Sequence, residues 1–352
     1  MAVLTGVYVI AGGYMATAIN DFIQGIIMLF GICAVIAAVL HSQGGFMATL
    51  EGLARVEDPA VSQAPGVFAS FFGPDPLNLL GVVVLTSLGT WGLPQMVQKF
   101  YAIKSENAVH KGMIISTVFA LVVAGGCYFL GGFGRLYGDQ VDVAAQATTP
   151  LSPPCSRAFP TCSSPLSVIL VLSASMSTLS SLVLASSSTL TLDFLKEKVC
   201  PNMSDRQQVT VMRLLVVVFI AISVVLAIIQ YRSNVTFIAQ LMGVSWGALA
   251  GAFLAPFLFG LYWKKTTKAA CAVSFLFSTV VMLANIGLKS LFPPILQSPI
   301  NAGAFCMLAG LILVPLVSLF TRKPDASLVD EAFSCYDQRV LVRQREALGD
   351  SE

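Results

Sequence analysis

The sequence predicts an all-α integral membrane protein with about eight membrane-spanning helices and a short N-terminal stub. Hydrophobic residues make up 56% of the 352 residues, charged residues make up 11%, and the mean hydropathy is +0.81. A water-soluble domain of this length would need far more polar surface. The chain also contains apolar runs of about 20 residues, which is the length that a spanning helix requires.

These apolar runs follow one another along the chain with short polar loops between them. An apolar stub at residues 1–12 is too short to span a bilayer. We place spanning helices at residues 22–42, 78–98, 112–134, 166–190, 211–230, 236–262, 268–288 and 303–321. Residues 1–321 are therefore expected to form a transmembrane domain, and residues 322–352 a charged, polar tail.

The distribution of basic residues predicts the orientation. If successive loops alternate sides, fifteen of the 20 Lys and Arg residues fall on one side and five on the other. Basic residues in short loops remain on the cytoplasmic side. We therefore expect a multi-pass cell-membrane protein, in contact with lipid, whose C-terminal tail is cytoplasmic. The net charge of +2 reflects this topology and does not indicate a nucleic-acid partner.

Residues 165–192 are the most informative segment. Eleven of the 19 residues from Ser173 to Thr191 are Ser or Thr. Because a hydroxyl group in hydrocarbon needs a partner, this helix should face protein or a wet cavity. Ser173, Ser177 and Ser181 follow helical spacing, and their neighbours Ala174 and Thr178 extend a face of small groups and oxygen atoms.

The residues argue against an enzyme. The chain has two histidines, His41 and His110, no Cys/His cluster at metal spacing, and no GxxxxGK[ST] or GxSxG motif. The predicted spans contain almost no ionisable side chains. Their polar groups are hydroxyls, amides and indoles, which suit binding and passage, and we expect no cofactor.

Four motifs carry a resemblance to a known family: GGYMATAINDFIQGIIMLFG (12–31), WGLPQMVQKFYAIKS (91–105), SASMSTLSSLVLASSSTLTLDFLK (173–196) and SWGALAGAFLAPFLFGLYWKKTTKAA (245–270). In this order they resemble the sodium/solute symporter family, which includes proline and pantothenate carriers. The resemblance implies part of an inverted-repeat, LeuT-like fold of five plus five helices. On that mapping the chain begins at the end of core helix 4, and core helices 1–3 are expected to lie outside it.

The resemblance also implies a sodium site. In the family, cation ligands come from an alanine carbonyl and from two hydroxyl side chains three and four residues later, a pattern that Ala174, Ser177 and Thr178 match. Sodium would then be a co-transported ion. From the residues alone, close helix packing is the alternative role for these hydroxyl groups, and it is the expected role for Ser186 to Thr189.

The candidates for solute binding are Trp91, Gln95, Gln240 and Trp246. Trp91 and Gln95 lie four residues apart, which predicts that they share one helix face, and they resemble family positions near substrate. They belong to the stretch GTWGLPQ, where a helix bends easily. A membrane-interface tryptophan and a polar helix end are the alternatives. Gln240 and Trp246 are candidates for an outer gate. The small residues beside them should form a packing ridge of Gly243, Gly247, Gly251 and Ala255.

For two further segments the sequence allows more than one interpretation. Asn20, Asp21 and Gln24 should open the helix that follows Gly12-Gly13, with Asp21 capping its N-terminus or acting in cytoplasmic gating. Residues 142–165 are either a long external loop or a stretch translated from a shifted reading frame. Cys155 and Cys162 in that stretch could pair in an oxidising compartment.

The expected function is sodium-coupled symport of a small organic solute by alternating access. The solute would be an amino acid, a vitamin or a carboxylate-like nutrient, as carried by members of the resembled family. Two alternatives remain open from the sequence. One is a symporter-like sensor domain of a signalling protein, and the other is an inactive fragment of a transporter.

Overall fold

The computed structural model describes residues 1–57, 61, 66–97, 103, 106–140, 163–233 and 238–336. Every regular element in these ranges is helical, which confirms the expected all-α membrane fold. The α-helices are α1 (Ala2–Ser42), α2 (Phe46–Ala54), α3 (Pro76–Gly92), α4 (Pro94–Val97), α5 (Glu106–Gly132), α6 (Ser163–Thr189), α7 (Asp205–Ser233), α8 (Ile238–Tyr262), α9 (Lys268–Gly287), α10 (Pro299–Phe320) and α11 (Ala326–Phe333). A π-helix, Leu190–Val199, continues α6.

Seven helices of the described ranges are long and apolar enough to cross a membrane. The eighth predicted span, residues 78–98, consists instead of the 17-residue helix α3 and the short helix α4. Leu93 separates them in an extended conformation, with φ −89° and ψ 115°. The cause is Pro94, because a proline lacks the N–H group and disfavours helical geometry in the preceding residue.

The predicted stub and first span form one element, α1, with a break at Gly13. The φ of 58° and ψ of −148° at Gly13 are accessible to glycine and strained for other residues, so the helix changes direction there. The helix resumes directly after Gly13, and the predicted start at residue 22 is therefore wrong. Asp21 lies in the helix interior, so the prediction that it caps an N-terminus is also wrong.

The chain folds into two compact units, and the first comprises residues 1–74 and 113–235. In this unit α6 packs against both α1 and α7. Val9, Val183 and Val216 belong to the buried cluster shared by these helices. Farther along, Gly31 of α1 faces Leu170 of α6, where an added Cβ would come within 3.0 Å of Leu170 Cδ1. The missing side chain lets the two helices approach closely.

The second unit comprises residues 75–112 and 236–352, and its helices α3, α8 and α10 pack through glycines. An added Cβ on Gly89 would lie 2.9 Å from Trp246 Cε3, and one on Gly247 would lie 2.6 Å from Gly303 Cα. These contacts confirm the predicted packing ridge of Gly243, Gly247, Gly251 and Ala255. A single transmembrane domain over residues 1–321 stays a prediction.

A proline inside α8 is compensated by a hydroxyl group of α9. Pro256 has no N–H group to bond to the carbonyl of Ala252, one turn earlier. Ser274 Oγ donates to the Ala252 carbonyl and to the neighbouring Gly251 carbonyl, each at 3.5 Å. Because hydrocarbon offers no water, this hydroxyl group partners a backbone acceptor that α8 cannot bond internally.

Residues 142–162 lie outside the described ranges. They make up most of the polar stretch 142–165 and include Cys155 and Cys162. Residues 163–165 form the first turn of α6. In the tail, residues 326–336 are helical, and residues 337–352 lie outside the described ranges.

We predict that Gly247→Ala lowers the melting temperature of the purified protein in lipid nanodiscs. The added methyl group meets Gly303 Cα and Met282, and overpacking of this kind costs about 1–3 kcal/mol. The control is Gly260→Ala in the same helix, because a Cβ there meets no atom within 4 Å. Equal melting temperatures for the two variants would contradict close packing at Gly247.

Candidate functional site

Asp21 of α1 is joined to α6 by two hydroxyl groups. Ser181 Oγ donates to Asp21 Oδ2 at 3.1 Å. Ser180 Oγ lies 3.4 Å from Asp21 Oδ1, and its single hydrogen is shared between that oxygen and the Ser177 carbonyl at 2.9 Å. Asp21 lies within a helix that is apolar and long enough to cross the membrane. An ionisable side chain in such a helix is a candidate for a functional site.

The contacts between α1 and α6 define an antiparallel register. Asp21 meets Ser180 and Ser181 at one end, and Gly31 meets Leu170 at the other. This register places Gln24 level with Ser177. We call Asp21, Gln24, Ser177, Ser180 and Ser181 the α1–α6 seam.

Gln24 is the seam residue with an unused polar atom. The residue is only 6% exposed, and its Oε1 atom has no hydrogen-bond partner. Buried side-chain oxygens are usually partnered, because an unpaired one loses its hydration without compensation. An acceptor in this position can therefore bind a cation or a water molecule.

Several hydroxyl groups of α6 bond to the carbonyl of the preceding turn. Thr178 Oγ1 donates to the Ala174 carbonyl at 2.9 Å, and Ser180 Oγ donates to the Ser177 carbonyl at 2.9 Å. In the π-helix that continues α6, Thr191 Oγ1 donates to the Ser187 carbonyl at 2.8 Å. Each bond uses the hydroxyl hydrogen and leaves the oxygen lone pairs free. The helix thus satisfies its donors internally and still presents oxygen acceptors.

The three predicted sodium ligands lie on one turn of α6. Ala174 and Ser177 are half-buried, and Thr178 is exposed. A carbonyl oxygen has two lone pairs, so the Ala174 carbonyl can accept from Thr178 and still contact a cation. Oxygen ligands of this kind suit a hard cation. Within the described ranges, no group of three or more His, Cys, Asp or Glu side chains could hold a metal ion.

The four candidates for solute binding lie in the second unit, in different environments. Trp246 is half-buried against Gly89 of α3. Trp91 is 64% exposed and lies off the buried face of α3. Gln95 in α4 and Gln240 in the first turn of α8 are half-buried. The structure thus brings Trp246 to α3 but leaves Trp91 outside that contact.

The expected alignment of Trp91 and Gln95 on one helix face is wrong. That alignment requires an uninterrupted helix, and Leu93 between the two residues is extended. Trp91 therefore ends α3, while Gln95 belongs to α4. The bend expected in GTWGLPQ is present, and its location separates the two side chains.

Sequence reasoning missed the pairing of Asp21 and the position of Gln24. The available signal was a carboxylate and an amide three residues apart in an otherwise apolar helix. Placing the helix start at residue 22 hid this signal, because it assigned Asp21 to the membrane boundary. The spacing of Asp21 and Gln24 puts both on one helix face, as the register with α6 requires.

Comparison with known proteins gives the same family along most of the chain. The model of the sodium:solute symporter family matches residues 1–276. The chain is 28% identical over 344 residues to the high-affinity proline transporter PutP of Bacillus subtilis (strain 168), covering 94% of this chain and 67% of that protein. It is 27% identical to a sodium/proline symporter of Staphylococcus aureus, covering 91% and 61%.

The chain is also similar to a relative that is named for a different solute. The chain is 24% identical over 294 residues to the sodium/pantothenate symporter of Escherichia coli (strain K12), covering 83% of this chain and 59% of that protein. The chain therefore spans 59–67% of the length of these three relatives.

We predict that Ser181→Ala destabilises the protein more than Ser188→Ala does. Ser181 donates to the Asp21 carboxylate, whereas Ser188 donates to the carbonyl of Ala185 in its own helix. A hydrogen bond to a charged group contributes about 1.5–3 kcal/mol, against about 1 kcal/mol for a neutral one. Melting temperatures in nanodiscs measure the difference, and equal values for the two variants would contradict the seam.

Proposed function

Because the chain belongs to the sodium:solute symporter family, we propose that it carries out sodium-coupled symport of a small organic solute by alternating access. The observation that supports this most directly is the α1–α6 seam. It combines a carboxylate, a buried amide oxygen without a partner and a row of hydroxyl groups inside apolar helices. These groups are oxygen ligands of the kind that a hard cation prefers.

Sodium binds, in this proposal, to the Ala174 carbonyl, Ser177 Oγ and Thr178 Oγ1. Gln24 Oε1 contributes a further ligand from α1, since the register places it level with Ser177. Neutral oxygen dipoles bind an ion and also release it, which a transport cycle requires. Asp21 lies next along the seam, and its negative charge attracts the ion as it enters or leaves.

The sodium gradient supplies enough free energy for nutrient uptake. One positive charge crossing ~100 mV contributes about 2.3 kcal/mol. A tenfold sodium gradient adds roughly 1.4 kcal/mol. Together these concentrate a neutral solute by roughly 500-fold for each sodium ion.

We infer the solute class from the relatives. Proline and pantothenate are named as the solutes of different relatives, and both molecules carry a carboxylate. We propose a small carboxylate-bearing nutrient, with Trp91, Gln95, Gln240 and Trp246 as the solute-contacting residues. Indole rings would contact the apolar part of such a molecule, and the side-chain amides would donate to its carboxylate.

The chain is a multi-pass membrane protein. We propose that it lies in the cell membrane with the α8–α9 loop and the C-terminal tail on the cytoplasmic side. Lys264 and Lys265 of that loop, and Arg322 and Lys323 after α10, are basic residues of the kind retained there.

We predict that replacing both Ser177 and Thr178 by Ala raises the sodium concentration for half-maximal uptake by about tenfold or more, because two oxygen ligands are lost. The measurement is uptake of radiolabelled proline and pantothenate into proteoliposomes under an inward sodium gradient, with choline replacing sodium as the blank.

The matched control replaces Ser186 and Ser188 by Ala, which also removes two hydroxyl groups from α6. This control should transport with unchanged sodium dependence. If the Ser177 and Thr178 variant keeps the apparent sodium affinity of the wild type, these two residues are not ligands. If wild-type uptake of both solutes is the same in sodium and in choline, sodium coupling to this solute class is wrong.

A further inference from the structure

The tail after α10 contains a short helix that depends on tertiary contacts for its stability. Helix α11 has eight residues and is followed by a 3-10 turn, Ser334–Tyr336. A helix this short does not persist in water by its own hydrogen bonds, because nucleation is costly. Its contacts with the rest of the second unit must therefore hold it.

Three contacts join this segment to the end of α8 and to the loop that follows it. Lys264 Nζ lies 3.1 Å from Asp330 Oδ1 of α11 and 5.5 Å from the centroid of the Phe333 ring. Phe333 stacks on Tyr336 with ring centroids 5.7 Å apart. The Tyr336 hydroxyl then donates to the Leu261 carbonyl at 3.0 Å. One lysine thus anchors the middle of the segment, and one carbonyl anchors its C-terminal end.

The Leu261 carbonyl is a group that α8 cannot satisfy internally. It belongs to the last turn of the helix, where carbonyls have no later N–H group to accept from. Tyr336 therefore supplies a cap from the tail. The α8–α9 loop is also tied to α10, because Thr267 Oγ1 lies 2.6 Å from Thr321 Oγ1 and Thr267 N bonds to Ser318 Oγ.

We propose that residues 326–336 form a salt-sensitive strap that restrains the end of α8. The side chains of Lys264 and Asp330 are 58% and 71% exposed, so dissolved salt screens their attraction. At low ionic strength the ion pair holds α11 in place, and Tyr336 caps α8. At high ionic strength the pair weakens, and α11 and the Tyr336 cap open together more often.

The restrained part of α8 is short. It runs from Pro256, where the helix lacks one internal hydrogen bond, to Tyr262, where the helix ends beside the strap. A segment bounded by a proline bends more easily than a regular helix. The strap thus limits bending of this last part of α8 and frees it when ionic strength rises.

The test is hydrogen exchange of the full chain in lipid nanodiscs, followed by mass spectrometry of peptides covering residues 257–266 and 326–336. Exchange is compared at ~20 mM and ~500 mM potassium chloride, concentrations at which screening differs strongly. Potassium is used so that sodium binding does not contribute. No transport is measured, so failure of the strap and failure of the proposed symport are distinguishable.

Asp330→Asn should increase exchange in residues 326–336 by about threefold at low salt, the size expected for loss of an exposed ion pair. Glu331→Gln is the control, because it removes the neighbouring carboxylate and leaves Lys264 and Asp330 in place. The double variant Lys264→Asp, Asp330→Lys should restore slow exchange. Raising the salt should bring the wild type to the level of Asp330→Asn.

Tyr336→Phe gives a second, independent readout, because it keeps the ring stack and removes the hydroxyl. It should increase exchange in residues 257–266. The strap is wrong if Asp330→Asn and Glu331→Gln exchange alike at low salt, or if wild-type exchange in residues 326–336 is independent of salt. Unchanged exchange of residues 257–266 in Tyr336→Phe would contradict restraint of α8.

Discussion

The first unit depends most on the contact between a carboxylate of α1, in a largely apolar sequence, and hydroxyl groups of α6. Asp21 accepts a hydrogen bond from Ser181 and shares the hydrogen of Ser180 with the Ser177 carbonyl. A hydrogen bond to a charged group contributes about 1.5–3 kcal/mol, about twice the value of a neutral one. A hydroxyl group is short, so the two helices must also approach closely, and Gly31 opposite Leu170 permits that approach. The hydroxyl content of α6 and the glycine of α1 therefore serve one contact, and the same contact creates the candidate ion site.

The two compact units are stabilised in different ways. The first unit combines the α1–α6 seam with an apolar cluster around Val183. The second unit relies on close approach of helix backbones, as where Gly247 meets Gly303. Without a hydrophobic driving force between helices in lipid, such approach and interhelical hydrogen bonds hold helices together. Ser274 makes an interhelical hydrogen bond of this type, because it donates to the Ala252 carbonyl, which Pro256 cannot bond. In both units these hydroxyl groups thus bond to a carboxylate or to a backbone carbonyl that has no partner in its own helix.

How much of the structure the sequence predicts depends on how far apart in the chain the interacting residues lie. Six of the eight predicted spans and the Gly247 ridge follow from local composition and spacing, and the structure confirms them. Pro94 predicts a bend, but the extended residue is Leu93, which removes the expected alignment of Trp91 with Gln95. The role of Asp21 was not predictable in detail, because its partner Ser180 lies 159 residues away and local patterns assign it to a helix cap. The contact of Lys264 with Asp330 in the tail joins residues 66 positions apart, which is also beyond the reach of local patterns.

The measurement that tests the central claim most directly is hydrogen exchange of residues 173–189 in nanodiscs, in sodium and in potassium at equal ionic strength. Sodium bound between α1 and α6 stabilises the bound form and slows exchange. The account predicts slower exchange in sodium for the wild type. It also predicts loss of that difference in Gln24→Met, which keeps the side-chain shape and removes the Oε1 ligand. Identical exchange in the two salts for the wild type would contradict a sodium site in the α1–α6 seam.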